Sequence, residues 1–271
     1  MLRAEGFFSM FSLLSASSLR RVGPAVLLSV LVAGCSIRSQ ADAAGLSQIG
    51  NPAPLVAPGR PAGEMPGQVV EQQPAAARGD RATSTPYSGD LSIFEYAGRD
   101  EKLQIDRVMH LLGIGPGKKV ADIGAGSGWF TVRAARQVGP GGVVYAEEIN
   151  PAAIAYIDDR AAKEGLGNVR TVLGTADDPK LAANSVDAVL LLKMYHEIAR
   201  PVELMKLVRG SLRAGAKVGI IDKNGNGSGT DHGVPRSTVV REMGLAGFSL
   251  AGKWDFTKAD GEDYFLIFRV K

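Results

Sequence analysis

The feature that most constrains this chain is the stretch Val120-Ala121-Asp122-Ile123-Gly124-Ala125-Gly126-Ser127-Gly128-Trp129-Phe130-Thr131. A short apolar run carries an acid near its end, turns on three glycines spaced by one residue, and continues as a helix-forming sequence. Glycines at such a turn adopt positive φ and let the backbone come close to a ligand, while the helix behind them offers free N–H groups. This describes a nucleotide-type site at the carboxyl edge of a parallel sheet. A dinucleotide fingerprint needs G-x-G-x-x-G. Counted from Gly124 its third glycine falls on Trp129, and counted from Gly126 on Thr131, so neither register holds. What stands is D-x-G-x-G-x-G.

The rest of the folded part alternates strand and helix. Ile105, Val108, Met109 and Leu112 repeat at i, i+3, i+4, i+7, one face of a helix, with His110 read as a structural residue inside it. Strands are expected over 119–123, 143–146, 169–173, 188–192 and 217–221, with helices over 129–138, from Pro151 and over 201–212. Ala214-Gly215-Ala216 reads as the turn before the fifth strand. A helix over 237–243 and two strands near 248–254 and 263–270 close the chain. The run Ala188–Leu192 is apolar throughout, as a strand buried on both faces requires, and it delivers Lys193-Met194-Tyr195-His196-Glu197 to the edge that carries the glycine turn.

These residues resemble the class I S-adenosyl-L-methionine (SAM) dependent methyltransferases, whose motif I is the D-x-G-x-G-x-G turn. The likeness runs over roughly 91–271, and Val120–Phe130 with Tyr195-His196 is similar to a bacterial group of methyltransferase-domain proteins. It implies an α/β, Rossmann-like, seven-stranded, mostly parallel sheet with an antiparallel last strand and helices on both faces. It also implies SAM as cofactor, held by Asp122, Gly124, Ala125, Gly126 and Gly128, with Lys193 beyond. An acid about 20 residues past the glycines accepts hydrogen bonds from ribose hydroxyls. Glu147 and Glu148 both qualify, and Glu148, followed by Ile149 and Asn150-Pro151, matches the family pattern better. In the loop Gly174-Thr175-Ala176-Asp177 the family's acidic position falls on Thr175, so Ala176 and Asp177 are the expected adenine contacts.

Methyl transfer from a sulfonium is an in-line displacement helped mainly by near-attack positioning, and a hydroxyl or protonated amine must also lose its proton. His196 is the candidate general base and Tyr195 a second catalytic candidate, with Asp222 lining the pocket. His232 falls in the polar, glycine-rich stretch 224–233, expected to be a loop that covers the site. The three histidines lie far apart without close partners, so the pattern argues for no metal. Small molecule, lipid and protein all stay open as methyl acceptors.

The first 35 residues read as an address. Arg20-Arg21 precede the apolar run 22–33, and Leu31-Val32-Ala33-Gly34-Cys35 resembles a bacterial lipobox. A lipidated Cys35 implies anchoring at the cell envelope, on the outer membrane or periplasmic face, with an uncleaved inner-membrane anchor as the other reading. Residues 36–86 are Ala-, Pro-, Gly- and Gln-rich and are expected to be a disordered tether before a domain over 87–271. The formal charge is +3, of which residues 1–35 carry +2 through three arginines against one glutamate. The +1 that remains is too near neutral to argue for a nucleic-acid surface. Cys35 is the single cysteine, which excludes internal disulfides and thiolate metal clusters. Because SAM is made in the cytoplasm, an exported, non-catalytic module binding another small ligand stays open beside the enzyme.

Overall fold

A computed structural model describes residues 80–83, 87–226 and 231–271. The expected signal over 1–35 and residues 36–79 and 84–86 of the tether lie outside the described residues. Within them no helix is long and apolar enough to cross a membrane.

Seven strands form one sheet in the order β3-β2-β1-β4-β5-β7-β6. The strands are β1 (Lys119–Ile123), β2 (Val143–Glu148), β3 (Val169–Leu173), β4 (Val186–Leu192), β5 (Leu212–Asp222), β6 (Phe248–Trp254) and β7 (Tyr264–Val270). Pairings through β5 are parallel, and β7 runs antiparallel to both β5 and β6. The helices are α1 (Arg99–Leu103), α2 (Ile105–Leu112), α3 (Trp129–Val138), α4 (Pro151–Lys163), α5 (Pro201–Ser211) and α6 (Arg236–Leu245). The strand order reverses between β1 and β4, and the crevice outside the strand ends at such a point is where ligands bind.

Side chains alternate across the two central strands because the strand period is two. Val120 and Leu190 join one core cluster with Phe130, Ala134 and Ile157, while Ala121, Val189 and Leu191 join the other with Met205, Val208 and Met243. Each buried leucine or isoleucine contributes about 1.5–3 kcal/mol, so the strands beneath the site are its most rigid part. Helix α2 buries Ile105, Val108, Met109 and Leu112 as expected. His110 is exposed, a correction: two residues past Val108, it is turned off the buried face.

Two boundaries also differ. Strand β2 reaches Glu148, so both glutamates belong to its end. Strand β5 begins at Leu212, and the expected turn at Ala214-Gly215-Ala216 survives as a bulge, where pairing jumps from Val186↔Leu212 to Ala188↔Lys217. The packed chain starts before Tyr87: Arg81 donates to the carbonyls of Tyr195 and Ile198 and pairs with Glu242 at 3.1 Å.

Candidate functional site

The glycine turn leaves the end of β1 and enters α3. Gly124 and Gly126 hold φ of 68° and 55°, in the left-handed region where a side chain is strained. A Cβ on Gly124 would lie 2.9 Å from Met194 side-chain carbons, so that backbone is clamped. On Gly126 the nearest atom would be Phe94 at 4.0 Å, leaving room above the turn. The turn is tied to β2 by Ala125 N–H donating to the Glu147 carbonyl at 2.9 Å.

Side chains of β2 complete this end. Glu148 accepts from the N–H groups of Gly126 at 2.9 Å, Ile149 at 2.8 Å and Asn150 at 3.1 Å. Oε1 takes two of these and Oε2 one, so Oε2 keeps a lone pair for a ligand hydroxyl. Glu147 is buried, with the Gly124 N–H 3.4 Å away. Burial, with the charges of Glu148 and Asp122, pushes its carboxyl up to about 8 despite that bond. Asp122 is buried and accepts from the Thr131 hydroxyl at 2.6 Å. Burial first and the Glu148 charge second raise its carboxyl to about 7.

A cavity of about 450 Å³ runs from this turn to the end of β4 and β5. Asp122, Gly124, Ala125, Gly126, Glu148, Ile149, Ala176, Lys193 and His196 all line it. Three expected site residues do not. Gly128 packs instead against Ile157, where a Cβ would sit 3.1 Å from its Cγ1. Asp177 is ion-paired with Arg200 outside the cavity, and Thr175 lines it in its place. Tyr195 is fully buried, with its hydroxyl donating to Glu242 at 3.0 Å and Arg81 stacked 5.3 Å from its ring centre. Burial and the Glu242 charge raise that phenol far above its usual range, so Tyr195 is a strut rather than an acid–base group.

His196 does face the cavity. Its Nδ1 lies 2.9 and 3.0 Å from the two oxygens of Asp222, and its backbone N–H donates to the same carboxylate. A carboxylate only accepts, so Nδ1 carries the proton and Nε2 of the neutral ring keeps its lone pair. Burial disfavours the imidazolium, but the Asp222 hydrogen bond and charge, with Glu197 and Glu262, outweigh it and raise the ring's pKa. Lys193, at φ 58°, turns to Asp260 and Glu262, 2.9 Å from each.

One group escaped the sequence. Thr83, Tyr87, Leu91, Ile93 and Phe94 wall the cavity from the amino-terminal side. Only the rise in apolar and aromatic residues from Tyr87 hinted at them. His232, at φ 49° in its loop, lines the cavity, with its ring 5.7 Å from that of His196. Ligand atoms of His196, Glu197 and His232 lie within 4.8 Å of one another, a closeness that the scatter of the histidines along the chain does not reveal.

Residues 120–215 match the family model described as Methyltransferase domain. Nocamycin O-methyltransferase of Saccharothrix syringae is 37% identical over 83 residues, 31% of this chain and 30% of that protein. A ubiquinone/menaquinone biosynthesis C-methyltransferase of Ectopseudomonas mendocina is 28% identical over 121 residues, 44% of this chain and 47% of that protein. The chain thus spans less than half the length of either relative. A SAM-dependent methyltransferase from Aquifex aeolicus superposes with a TM-score of 0.58 at 22% identity, over 68% of this chain and 100% of that one, a likeness of fold. Residues 120–215 thus match a methyltransferase domain, and the strand order and glycine turn around them give the folded part the fold of the class I SAM-dependent methyltransferases.

Proposed function

We propose that this domain binds SAM along the β1–β2 edge and transfers its methyl group to an acceptor held against His196. One observation carries the reading. The cavity is lined by six acidic residues against Arg99, Lys193, Lys223 and two histidines, and three of the acids, Asp122, Glu147 and Glu148, stand at the glycine turn. Asp122 and Glu147 are held near 7 and 8, so a cation beside them recovers part of the cost of burying their charge. A pyrophosphate there would meet repulsion, whereas a sulfonium nucleoside carries the complementary sign and no phosphate.

The residues present fit that cofactor. Gly126 leaves open space over the turn, Glu148 Oε2 retains an acceptor site for a ribose hydroxyl, and Ile149 is 39% exposed beside the cavity as an apolar surface for the base. Ala176 and Thr175 border the same end. When bound, SAM supplies a methyl group on a positively charged sulfur. The chain's part is to hold the acceptor in line and to keep water out, through Tyr87, Leu91, Ile93, Phe94, Met194 and Ile198. These walls favour an acceptor with an apolar body, and Nε2 of His196 is the lone pair that meets its nucleophilic atom. That His196 takes up the acceptor's proton is the simplest use of that lone pair. Tyr195 has no part in it.

The test is label transfer from SAM tritiated in its methyl group to envelope extracts. The expected result is one labelled product class, lost in His196→Ala while S-adenosylhomocysteine (SAH) still binds. Equal labelling by the parent and His196→Ala would overturn the role of His196. SAH binding with no acceptor labelled in any extract would favour the non-catalytic module. The location is likewise a proposal, supported by the Leu31–Cys35 sequence alone: fatty-acid label should enter the parent and not Cys35→Ala.

A further inference from the structure

His196, Glu197 and His232 stand at the acceptor end of the cavity, and the reading above uses only one of them. Three features set this cluster apart from a chance meeting of polar groups. The first is spacing. Nε2 of His196 lies 3.8 Å from a Glu197 oxygen, and the ligand atoms of all three residues lie within 4.8 Å of one another. Ligands bonded at about 2.0–2.2 Å to one ion stand about 3–4 Å apart, so the three close on a common centre by small side-chain rotations.

The second is the partner behind the ring. Asp222, wholly buried, accepts the hydrogen bond from His196 Nδ1–H at 2.9 and 3.0 Å and is itself held by the backbone N–H groups of His196 and Lys223. A ligating histidine almost always donates its other ring N–H to a carboxylate or carbonyl, which fixes the tautomer and raises the basicity of the free nitrogen. The third is backbone strain. His232 is held at φ 49°, uncommon for a residue other than glycine, and such conformations gather at functional sites.

We propose that His196, Glu197 and His232 bind one divalent transition-metal ion, of the zinc class, with Asp222 as the positioning residue behind His196. Two imidazoles and one carboxylate suit Zn²⁺ and Fe²⁺ better than Mg²⁺ or Ca²⁺, which prefer all-oxygen sites. Three protein ligands leave at least one coordination position open, as catalytic sites require. That position faces the cavity where the acceptor is placed. An acceptor oxygen bound there is polarised and loses its proton at lower pH, and the proton passes to solvent. In this state Nε2 is a ligand, so the ion takes over the task that the bare imidazole would otherwise perform. The inference rests on the proposed function for what the ion activates, but not for its binding.

The experiment uses the untagged full-length chain in detergent, stripped with chelator and titrated with Co²⁺ and with Zn²⁺. The expected result is one ion per chain, with visible Co²⁺ absorption bands that Zn²⁺ displaces. His232→Ala and Glu197→Gln should each weaken Co²⁺ binding at least about 10-fold, with folding checked by circular dichroism. Asp222→Asn should weaken it by about 10–100-fold, the range typical of such second partners. Absence of Co²⁺ binding in the parent, or equal binding in His232→Ala, would overturn the proposal. SAH calorimetry on the stripped parent keeps the readings apart: SAH binding without metal binding sinks this inference alone, and metal binding without SAH binding sinks the proposed function alone.

Discussion

Glu147→Gln tests the electrostatics of the site without any ligand. The parent carboxyl is held at about 8, against 4.5 for the free residue. At about 1.36 kcal/mol per pH unit, that difference sets an upper bound of about 5 kcal/mol against ionising it in the fold. Glu148 and Asp122 supply part of this and adjust when Glu147 is neutral, so roughly half, about 2–3 kcal/mol, is expected in a variant. The sign follows from the raised value. The native state holds the proton more tightly than the unfolded chain, so this group's contribution is fully present below pH 4.5 and is lost as pH rises through about 8. Glutamine is neutral at every pH and keeps an oxygen for the Gly124 N–H. Urea unfolding of parent and variant from pH 4 to pH 9 should therefore give curves that coincide near pH 4 and separate steadily between pH 5 and pH 8. The variant should be the more stable by about 2–3 kcal/mol at pH 9. Parallel curves, or a variant that loses stability as pH rises, would refute the reasoning.

Other predictions follow from the same geometry. Tyr195→Phe removes a buried hydroxyl bonded to Glu242 and should cost about 1–2 kcal/mol in urea unfolding, with SAH affinity unchanged because the ring lies off the cavity. Affinity lost in parallel with stability would return Tyr195 to the site. Near pH 7, calorimetry in buffers of different ionisation enthalpy should show SAM releasing more protons than SAH, since only SAM brings a positive sulfur to the raised carboxyls of Asp122 and Glu147. Equal release would mean that the sulfur lies elsewhere.

The sequence was legible where a single local rule decides the outcome. Strands β1 and β3 and helix α3 have the ends expected from apolar runs and the glycine turn. The seven-strand order with an antiparallel β7 follows the family pattern. Residue order says less about where a side chain points once a strand has ended. Tyr195 and His196 are neighbours in a short 3₁₀ turn, yet one is driven into the core beside Arg81 and the other toward Asp222. Nothing local distinguishes them, because their partners stand 114 and 26 residues away. Asp177 was an adenine candidate by loop position, and the ion pair with Arg200 drew it off. The histidine cluster was hidden for the same reason: the Asp222 end of β5 brings the loop of His232 against the end of β4, a meeting that spacing along the chain does not encode.

The glycine turn and Glu148 build a nucleoside site, and calorimetric titration of SAH into the full-length chain tests this most directly. One site per chain is predicted. Gly126→Val should abolish measurable binding, because its side chain enters at φ 55° where the open space lies. Glu148→Ala should weaken binding by about 30-fold or more, the loss of about 2 kcal/mol of charge-assisted hydrogen bonding. A parent that binds no SAH, or variants that bind it as tightly as the parent, would contradict the account.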